Sequence, residues 1–228
     1  MFLMLIDVVI PAYNEEKSIG NVISDIPDFV REIIVCNNNS SDSTAKVAQS
    51  KGATVVNAMQ KGYGSACLEG LAHIEKKSQS PDVVVFLDGD YSDHPEEMTL
   101  LVDAIKDGYE LVIGSRAMGK LQRGAMQPQQ IFGNWLATSL IKLFYKYEFT
   151  DLGPFRAITY QALRKINMED KDFGWTVEMQ VKAAKLGMKV KEVPVTYRKR
   201  IGVSKVSGTV KGTILAGHKI LWTIYKLM

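Results

Sequence analysis

The chain has 228 residues, of which 46% are hydrophobic, and its formal net charge at neutral pH is +3. Such a protein buries a real core, as one large domain or a domain with an appendage. No apolar run of about 18 residues occurs, so we predict no transmembrane helix. The apolar start is too short for a signal peptide and lacks a basic leader, so we expect a cytoplasmic protein. The two cysteines, Cys36 and Cys67, show no metal-ligand spacing.

The charge is unevenly distributed along the chain. From Lys182 onward there are eleven lysines and arginines but one acidic residue, whereas the part before it has more acids than bases. A basic C-terminal fifth indicates an anionic partner, which is a nucleic acid, a phospholipid or a phosphorylated substrate. The alternative is a solvated basic face.

Short apolar runs alternate with amphipathic segments in the first half of the chain. We predict strands at residues 5–10, 32–36, 53–57, 82–87 and 110–114, and helices at residues 15–26, 42–51, 65–77 and 95–106. Alternating β and α units predict a mainly parallel central sheet, flanked by helices and joined by right-handed crossovers. The fold class is therefore α/β.

The pattern loosens after Arg116. Residues 117–130 have little periodicity and are punctuated by Gly and Pro, which predicts a mobile loop over the site. Helices are predicted at residues 131–145 and 177–186, and a strand at residues 189–198. No repeat or linker interrupts the sequence, so we predict one domain over residues 1–207 and a C-terminal arm over residues 208–228.

The most informative feature is the apolar run 83–87, which ends in Asp88, Gly89 and Asp90. In open α/β sheets, ligands bind at the carboxyl ends of the strands. Two carboxylates at such a point repel each other unless a cation lies between them. A hard divalent cation that carries substrate phosphates fits this pattern. The alternative is an ordinary acidic turn.

Three further polar loops follow predicted strands. P-A-Y-N-E at residues 11–15 and C-N-N-N-S-S-D-S-T at residues 36–44 offer backbone amides and amide side chains to a nucleotide. K-G-Y-G-S-A at residues 61–66 combines glycines, a lysine and a helix start, which favour phosphate. Taken singly, the loop at residues 11–15 is equally typical of a plain strand–turn–helix junction, and the loop at residues 36–44 is more typical of a turn before a capped helix. The glycine pattern at residues 61–66 is a weak signal by itself.

The ordered set of motifs resembles that of family 2 glycosyltransferases, which have the Rossmann-like GT-A fold. It comprises P-A-Y-N-E, N-N-N-S-S-D-S-T, K-G-Y-G-S-A, D-G-D-Y-S-D-H-P-E-E and G-S-R. Three later motifs resemble the dolichyl- and polyprenyl-phosphate sugar transferases: T-D-L-G-P-F-R-A-I, E-V-P-V-T-Y-R-K-R and G-V-S-K-V-S. The resemblance covers about residues 5–207.

This resemblance implies a metal-dependent, inverting transfer of a hexose from a nucleotide sugar to a polyprenyl phosphate. It places Mg²⁺ or Mn²⁺ on Asp88 and Asp90, and it implies catalytic roles for Asp90, Asp151 and Arg116. The implied nucleotide-binding residues are Pro11, Tyr13, Glu15, Asn37, Asn38, Lys61, Gly62, Asp88 and Gly89. The implied acceptor- and phosphate-binding residues are Arg116, Arg156, Arg200, Ser204 and Lys205.

The chemistry of the two substrates agrees with these roles. A nucleoside diphosphate leaving group develops negative charge, which a metal and arginines stabilise. A phosphate acceptor is already an anion and needs positioning by cations rather than a strong base. Asp151 is then an orienting or metal-linked group, whereas with a hydroxyl acceptor it would be the leading base candidate.

The sequence departs from the family pattern in two places. Many relatives have aspartates where this chain has Asn37 and Asn38. An asparagine amide offers one donor and one acceptor, which matches uracil, so we favour a UDP-sugar over a GDP-sugar, although cytosine fits equally. The run Q-P-Q-Q at residues 127–130 lacks basic residues that some relatives have there. A second acceptor-phosphate contact is therefore in doubt.

The arm at residues 208–228 mixes lysines with apolar and aromatic residues, which is typical of an amphipathic helix on an anionic membrane surface. We therefore expect peripheral association with the cytoplasmic membrane face. The alternative is packing on the domain or on a partner subunit, and a homo-oligomer stays open. Competing functions are transfer to a soluble or protein acceptor and binding of a nucleotide sugar without turnover. Nucleic acid has no support, since no basic groove motif occurs.

Overall fold

The computed structural model describes residues 4–202 and 210–228, and its centre is one seven-stranded sheet. The strands, in chain order, are β1 (Ile6–Ala12), β2 (Glu32–Asn37), β3 (Thr54–Asn57), β4 (Val83–Phe86), β5 (Leu111–Ser115), β6 (Arg156–Thr159) and β7 (Val190–Pro194). Their order across the sheet is β3-β2-β1-β4-β6-β5-β7. All neighbours are parallel except β6, which runs antiparallel to both β4 and β5.

Eight helices cover the sheet in the described part of the chain. They are α1 (Ile19–Asp25), α2 (Thr44–Ser50), α3 (Tyr63–Glu75), α4 (Met98–Lys106), α5 (Pro128–Tyr145), α6 (Tyr160–Ile166), α7 (Trp175–Lys185) and α8 (Val210–Lys226). A short 3₁₀ turn at Pro95–Glu97 leads into α4. The predicted α/β class with a mainly parallel sheet is therefore confirmed.

The sheet separates two hydrophobic cores because successive strand residues point to opposite faces. On β4, Val84 and Phe86 lie in one core, and Val83 and Val85 lie in the other. All four residues are buried. A strand covered on both faces needs an uninterrupted apolar run, which explains the V-V-V-F pattern in place of alternation.

The prediction missed one strand and one helix and misplaced some boundaries, although β5 and β7 lie where strands were predicted. Strand β6 and helix α6 were not predicted, because β6 is four residues long and begins with a charged side chain, Arg156. The strand predicted over residues 189–198 is shorter in the structure. The helix predicted from residue 15 begins at Ile19, since a turn closed by the Glu15 carbonyl precedes it.

The C-terminal helix α8 packs against α5 and α7. Thr223 and Ile224 are buried in this contact, and the Tyr145 hydroxyl donates to the Ile224 carbonyl oxygen at 2.5 Å. One face of the predicted C-terminal arm therefore packs on the domain, which was the alternative that the sequence left open. Among the described residues, no helix combines the length and hydrophobicity required to cross a bilayer.

Candidate active site

A cavity of about 420 Å³ opens at the carboxyl ends of β1 and β4. Ten of its lining residues were predicted as site residues: Pro11, Tyr13, Glu15, Asn38, Lys61, Gly62, Asp88, Gly89, Asp90 and Arg200. The parallel strands deliver these residues to one edge although they lie up to 189 positions apart in the sequence.

Four other residues of the cavity wall were not predicted: Ala12, Tyr63, Asp172 and Phe173. Tyr63 lay inside a motif that had been noticed for its glycines. Its hydroxyl donates to Asp88 Oδ1 at 3.0 Å and so orients that carboxylate. Asp172 and Phe173 come from the loop before α7, and the sequence there carries no recognisable ligand pattern.

The loops after β1 and β2 brace each other. Asn14 has a left-handed backbone with φ of 55°, and its N–H donates to Ser40 Oγ at 3.0 Å. Its Oδ1 accepts from the Ser41 N–H at 2.8 Å. The Glu15 N–H donates to Thr44 Oγ1 at 2.8 Å. The polar run after β2 thus holds the loop that carries Tyr13 and Glu15.

The two asparagines predicted to read the base have different positions. Asn38 lines the cavity, and its side-chain amide donates to the Gly62 carbonyl oxygen. Asn37 does not line it. The Asn37 amide donates to Asn57 Oδ1 at 2.9 Å, and its own Oδ1 accepts from the Ser40 N–H at 3.2 Å. The prediction that both asparagines contact the base is therefore at odds with the geometry of Asn37.

The two aspartates of the D-G-D motif, Asp88 and Asp90, lie near a third buried carboxylate, Asp93. Burial, reinforced by the negative charge of Asp90, raises the pKa of Asp88 to about 7. Asp93 is 1% exposed, and neither of its carboxylate oxygens has a hydrogen-bond partner among the described residues. Burial, together with the charges of Asp88 and Asp90, raises the pKa of Asp93 well above its usual value. Burial and mutual repulsion therefore disfavour the ionised form of these carboxylates, and a nearby cation would stabilise it.

Arg200 supplies part of that positive charge. Its Nη2 lies 3.1 Å from Asp90 Oδ2 and 3.2 Å from Glu15 Oε1. The other oxygen of Asp90 accepts hydrogen bonds from the N–H and hydroxyl of Ser92, at 2.8 and 2.5 Å. The chain after β7 is tied to the same place, since the Ile201 N–H donates to the Asp90 carbonyl oxygen at 3.0 Å.

The donor set fits a divalent cation that arrives with a diphosphate. No group of three or more His, Cys, Asp or Glu side chains able to hold a metal occurs in the described ranges. Mg²⁺ and Mn²⁺ prefer oxygen ligands, and Mg²⁺ is usually held by one or two carboxylates plus substrate phosphates. Asp88 and Asp90 meet that requirement, and a cation there would replace the contact that Arg200 makes with Asp90.

Arg116 and Asp151 form a buried ion pair. Arg116 Nε and Nη2 donate to Asp151 Oδ2 and Oδ1 at 2.8 and 2.6 Å, and the Arg116 N–H donates to Oδ2 at 2.7 Å. Burial opposes the Arg116 charge, but the Asp151 carboxylate outweighs it and raises the arginine pKa. Both oxygens of Asp151 are occupied in this arrangement. The Asp151 carboxylate therefore fixes the position of the Arg116 guanidinium.

The surroundings of Arg116 complete this arrangement. Its guanidinium carbon lies 5.1 Å from the ring centroid of Tyr197, a cation–π distance. Tyr197 in turn pairs with the segment predicted as a loop over the site: its N–H donates to the Lys120 carbonyl oxygen at 2.9 Å. Arg116 is not part of the cavity wall.

The prediction that Arg156 binds the acceptor phosphate is wrong for this geometry. Arg156 is fully buried, and its guanidinium donates to the carbonyl oxygens of Leu152, Gly153 and Thr176. Burial lowers its pKa to about 10. Arg156 thus ties the segment before β6 to α7 and has no open path to a ligand. Ser204 and Lys205, the last two predicted phosphate contacts, lie outside the described residues.

The family model for glycosyl transferase family 2 matches residues 7–167. The chain belongs to glycosyl transferase family 2. This glycosyltransferase is 30% identical over 219 residues to the undecaprenyl-phosphate mannosyltransferase of Micrococcus luteus, covering 90% of the chain and 88% of the relative. It is also 30% identical over 215 residues to the dolichyl-phosphate hexose transferase of Haloferax volcanii, covering 91% and 89%.

Solved structures agree on the fold. Glucosyl-3-phosphoglycerate synthase from Mycobacterium tuberculosis, in complex with Mn²⁺, UDP-glucose and phosphoglyceric acid, superimposes with a TM-score of 0.78. The match covers 98% of this glycosyltransferase and 79% of the synthase at 24% sequence identity. At that identity the likeness establishes the shared fold.

Proposed function

We propose that this family 2 glycosyltransferase transfers a hexose from a UDP-sugar to a polyprenyl phosphate, with inversion and with the aid of Mg²⁺ or Mn²⁺. The observation that carries the proposal is the cavity in which Asp88, Asp90 and Arg200 meet at the strand ends. The names of the relatives from Micrococcus luteus and Haloferax volcanii support the lipid-phosphate acceptor.

The donor is a nucleotide sugar with a uracil base. Asn38 supports this choice because its amide lies in the cavity wall beside Gly62 and offers both a donor and an acceptor. The UDP-glucose bound to the synthase of the same fold is a second support. Of the two asparagines, Asn38 carries the argument, since the Asn37 side chain is bonded to Asn57 of β3 and to Ser40.

Asp88 and Asp90 would hold the divalent cation, which supplies positive charge for the departing diphosphate. The Tyr63 hydroxyl holds Asp88 in place, and the Ser92 N–H and hydroxyl hold Asp90. These donors fix both carboxylates before the nucleotide arrives, so that little reorganisation is needed on binding.

The acceptor phosphate attacks the anomeric carbon as the bond to the nucleoside diphosphate breaks. An anionic phosphate needs no base, which agrees with Asp151 having both oxygens engaged by Arg116. Arg200 pairs with Asp90 of the carboxylate pair, and it would pass from Asp90 to a phosphate once a metal occupies its place.

An exposed apolar surface on α5 and α8 supports the proposal of a lipid substrate. Helices α5 and α8 lie together and expose large apolar side chains: Ile131, Phe132, Trp135, Leu143, Phe144, Ile214, Leu215, Leu221, Trp222 and Tyr225. Trp135 is 61% exposed and Trp222 is 50% exposed. We therefore propose peripheral association with anionic lipid on the cytoplasmic membrane face, through both helices rather than through α8 alone.

Transfer to a small phosphorylated acceptor is the second candidate. The fold neighbour was solved with phosphoglyceric acid, which is water-soluble. Its phosphate would require the same cations, so the site alone does not favour the lipid over a soluble phosphate. The exposed surface of α5 and α8 favours the lipid.

The test is a donor and acceptor panel. The purified protein is incubated with Mn²⁺ and UDP-, GDP- or CDP-hexoses, with and without undecaprenyl phosphate in anionic vesicles, and nucleotide release is measured. We expect release with UDP-hexoses that depends on the lipid. Release from GDP-mannose alone would overturn the donor assignment. Release with phosphoglyceric acid but not with the lipid would establish the second candidate.

A further inference from the structure

The loop that joins α6 to α7, residues 167–174, forms one wall of the donor cavity. Asp172 and Phe173 of this loop line the cavity together with residues from the strand ends. Neither side chain belongs to any motif that points to the nucleotide. The contacts of residues 167–174, the α6–α7 loop, set the position of these two side chains.

The α6–α7 loop lies directly against the glycine-rich start of α3. The Ser65 N–H and hydroxyl both donate to the Lys171 carbonyl oxygen, at 2.9 and 3.1 Å. A Cβ at Gly62 or Gly64 would overlap the backbone carbonyls of Lys171 and Asp170. The two segments are in backbone contact, so a shift of the α6–α7 loop also shifts Gly62 in the cavity wall.

Asp170 organises the loop from within. Its Oδ1 accepts from the Asp172 N–H at 2.8 Å and from the Gly174 N–H at 3.1 Å, which closes the turn that presents Phe173. Its Oδ2 lies 3.0 Å from Lys219 Nζ on α8. The Asp170 side chain is 8% exposed, so its charge depends on this partner more than a surface carboxylate would.

Helix α8 thus contacts the α6–α7 loop through Lys219 and through Thr223. A Cβ at Gly174 would overlap both the Asp170 carboxylate and the Thr223 hydroxyl of α8, so the helix is seated closely on the loop. On the other side, the Glu178 carboxylate accepts from the Glu169 and Asp170 N–H groups and pairs with Lys182.

We propose that Asp170 and Lys219 are positioning residues for the donor cavity: their ion pair, between α8 and the α6–α7 loop, fixes Phe173, Asp172 and the glycine-rich start of α3 in the geometry that receives the nucleoside diphosphate. The identity of that ligand rests on the proposed function. The positioning itself rests on contacts that do not involve a ligand.

The ligand test is calorimetric binding of UDP in the presence of Mn²⁺. Lys219→Met and Asp170→Asn should each weaken binding about tenfold, while Lys219→Arg should restore nearly normal binding. Under saturating substrates kcat should change less than twofold, because the reacting groups are untouched. The matched control is Lys106→Met, which breaks the exposed pair between Lys106 and Asp103 on α4 and should leave binding unchanged. Normal binding by Lys219→Met and Asp170→Asn would overturn the proposal.

Hydrogen exchange separates this proposal from the proposed function. In the ligand-free protein, Lys219→Met should speed exchange of the Ser65 amide, which donates to the α6–α7 loop, about tenfold or more. The Val35 amide in the sheet serves as the reference for global unfolding and should not change. If the parent protein binds no UDP but Ser65 exchange responds, the donor assignment fails and the positioning role stands. Unchanged Ser65 exchange would refute the positioning role whatever the ligand is.

Discussion

The Arg116–Asp151 pair gives the sharpest test of how the site is built. Asp151→Asn keeps the shape of the side chain but removes its charge and places an amide N–H against an arginine N–H. Asp151 is 1% exposed, and the Arg116 side chain is 11% exposed, so water cannot compensate for the loss. Breaking a buried pair by removing one partner costs about 3–5 kcal/mol. We expect a loss of that size in the free energy of unfolding.

Urea denaturation followed by circular dichroism measures this loss, with Asp103→Asn as the control. Asp103 pairs with Lys106 on the exposed face of α4, and its substitution should change stability by no more than about 0.5 kcal/mol. A second variant isolates the uncompensated charge. Asp151→Asn combined with Arg116→Met should be more stable than Asp151→Asn alone, because no unpaired cation then remains. Additive losses, or a loss below about 1 kcal/mol for Asp151→Asn, would refute the orienting role.

Four further outcomes follow from the site and the surface. Asp90→Ala should abolish metal-dependent turnover, and full activity in that variant would remove the assigned metal role. Asp88→Asn should stabilise the metal-free protein by about 1–3 kcal/mol above pH 7. The folded-state pKa of Asp88 is raised to about 7, so its ionisation destabilises the fold as the pH rises from about 4 to 7. Denaturation at pH 4 should therefore show little gain in stability for the variant. An equal gain at pH 4 and above pH 7 would contradict the assignment. Trp135→Ser with Trp222→Ser should weaken co-sedimentation with anionic vesicles about tenfold or more, and unchanged sedimentation would rule out the proposed surface. Gly64→Ala should lower the melting temperature by several degrees, since its Cβ would overlap the Asp170 carbonyl, and an unaltered melting temperature would mean that the close approach is absent in solution.

The first half of the fold was predictable because its signals are local. Buried runs such as Val83–Phe86 alternate with helical segments, and each strand ends in a polar loop. The topology then brings Tyr13, Asn38 and Asp90 together, as parallel strands require. The sequence at the strand ends did not reveal which side chains face the cavity. Consecutive residues point to opposite sides, and only one member of the Asn37–Asn38 pair faces the cavity.

The residues that were missed depend on contacts between distant segments. Asp172 and Phe173 reach the cavity because the Lys171 carbonyl accepts from Ser65, more than one hundred positions earlier in the chain. The hydrophobic periodicity of the sequence does not indicate such a contact between distant segments. Arg156 illustrates the reverse error. This arginine was assigned to a ligand because it lies next to an implied site, yet its guanidinium donates to the backbone carbonyls of Gly153 and Thr176. A buried arginine with carbonyl partners is indistinguishable by sequence from one that awaits a phosphate.

The single antiparallel strand β6 has a further consequence for the way such an enzyme diversifies. It separates the parallel set β3-β2-β1-β4, whose loops line the cavity, from the parallel pair β5-β7, which leads to Arg116 and Arg200. The backbone ladder of β6 joins the two sets within the sheet. The loops join them again at the site, where Arg200 pairs with Asp90 and the Lys171 carbonyl oxygen accepts from Ser65. Substitutions beyond Leu111 therefore reach the cavity wall that holds Asp88 and Asp90, because Asp172, Phe173 and Arg200 line the same cavity. The two sides of the site are tied to each other and are not free to change independently.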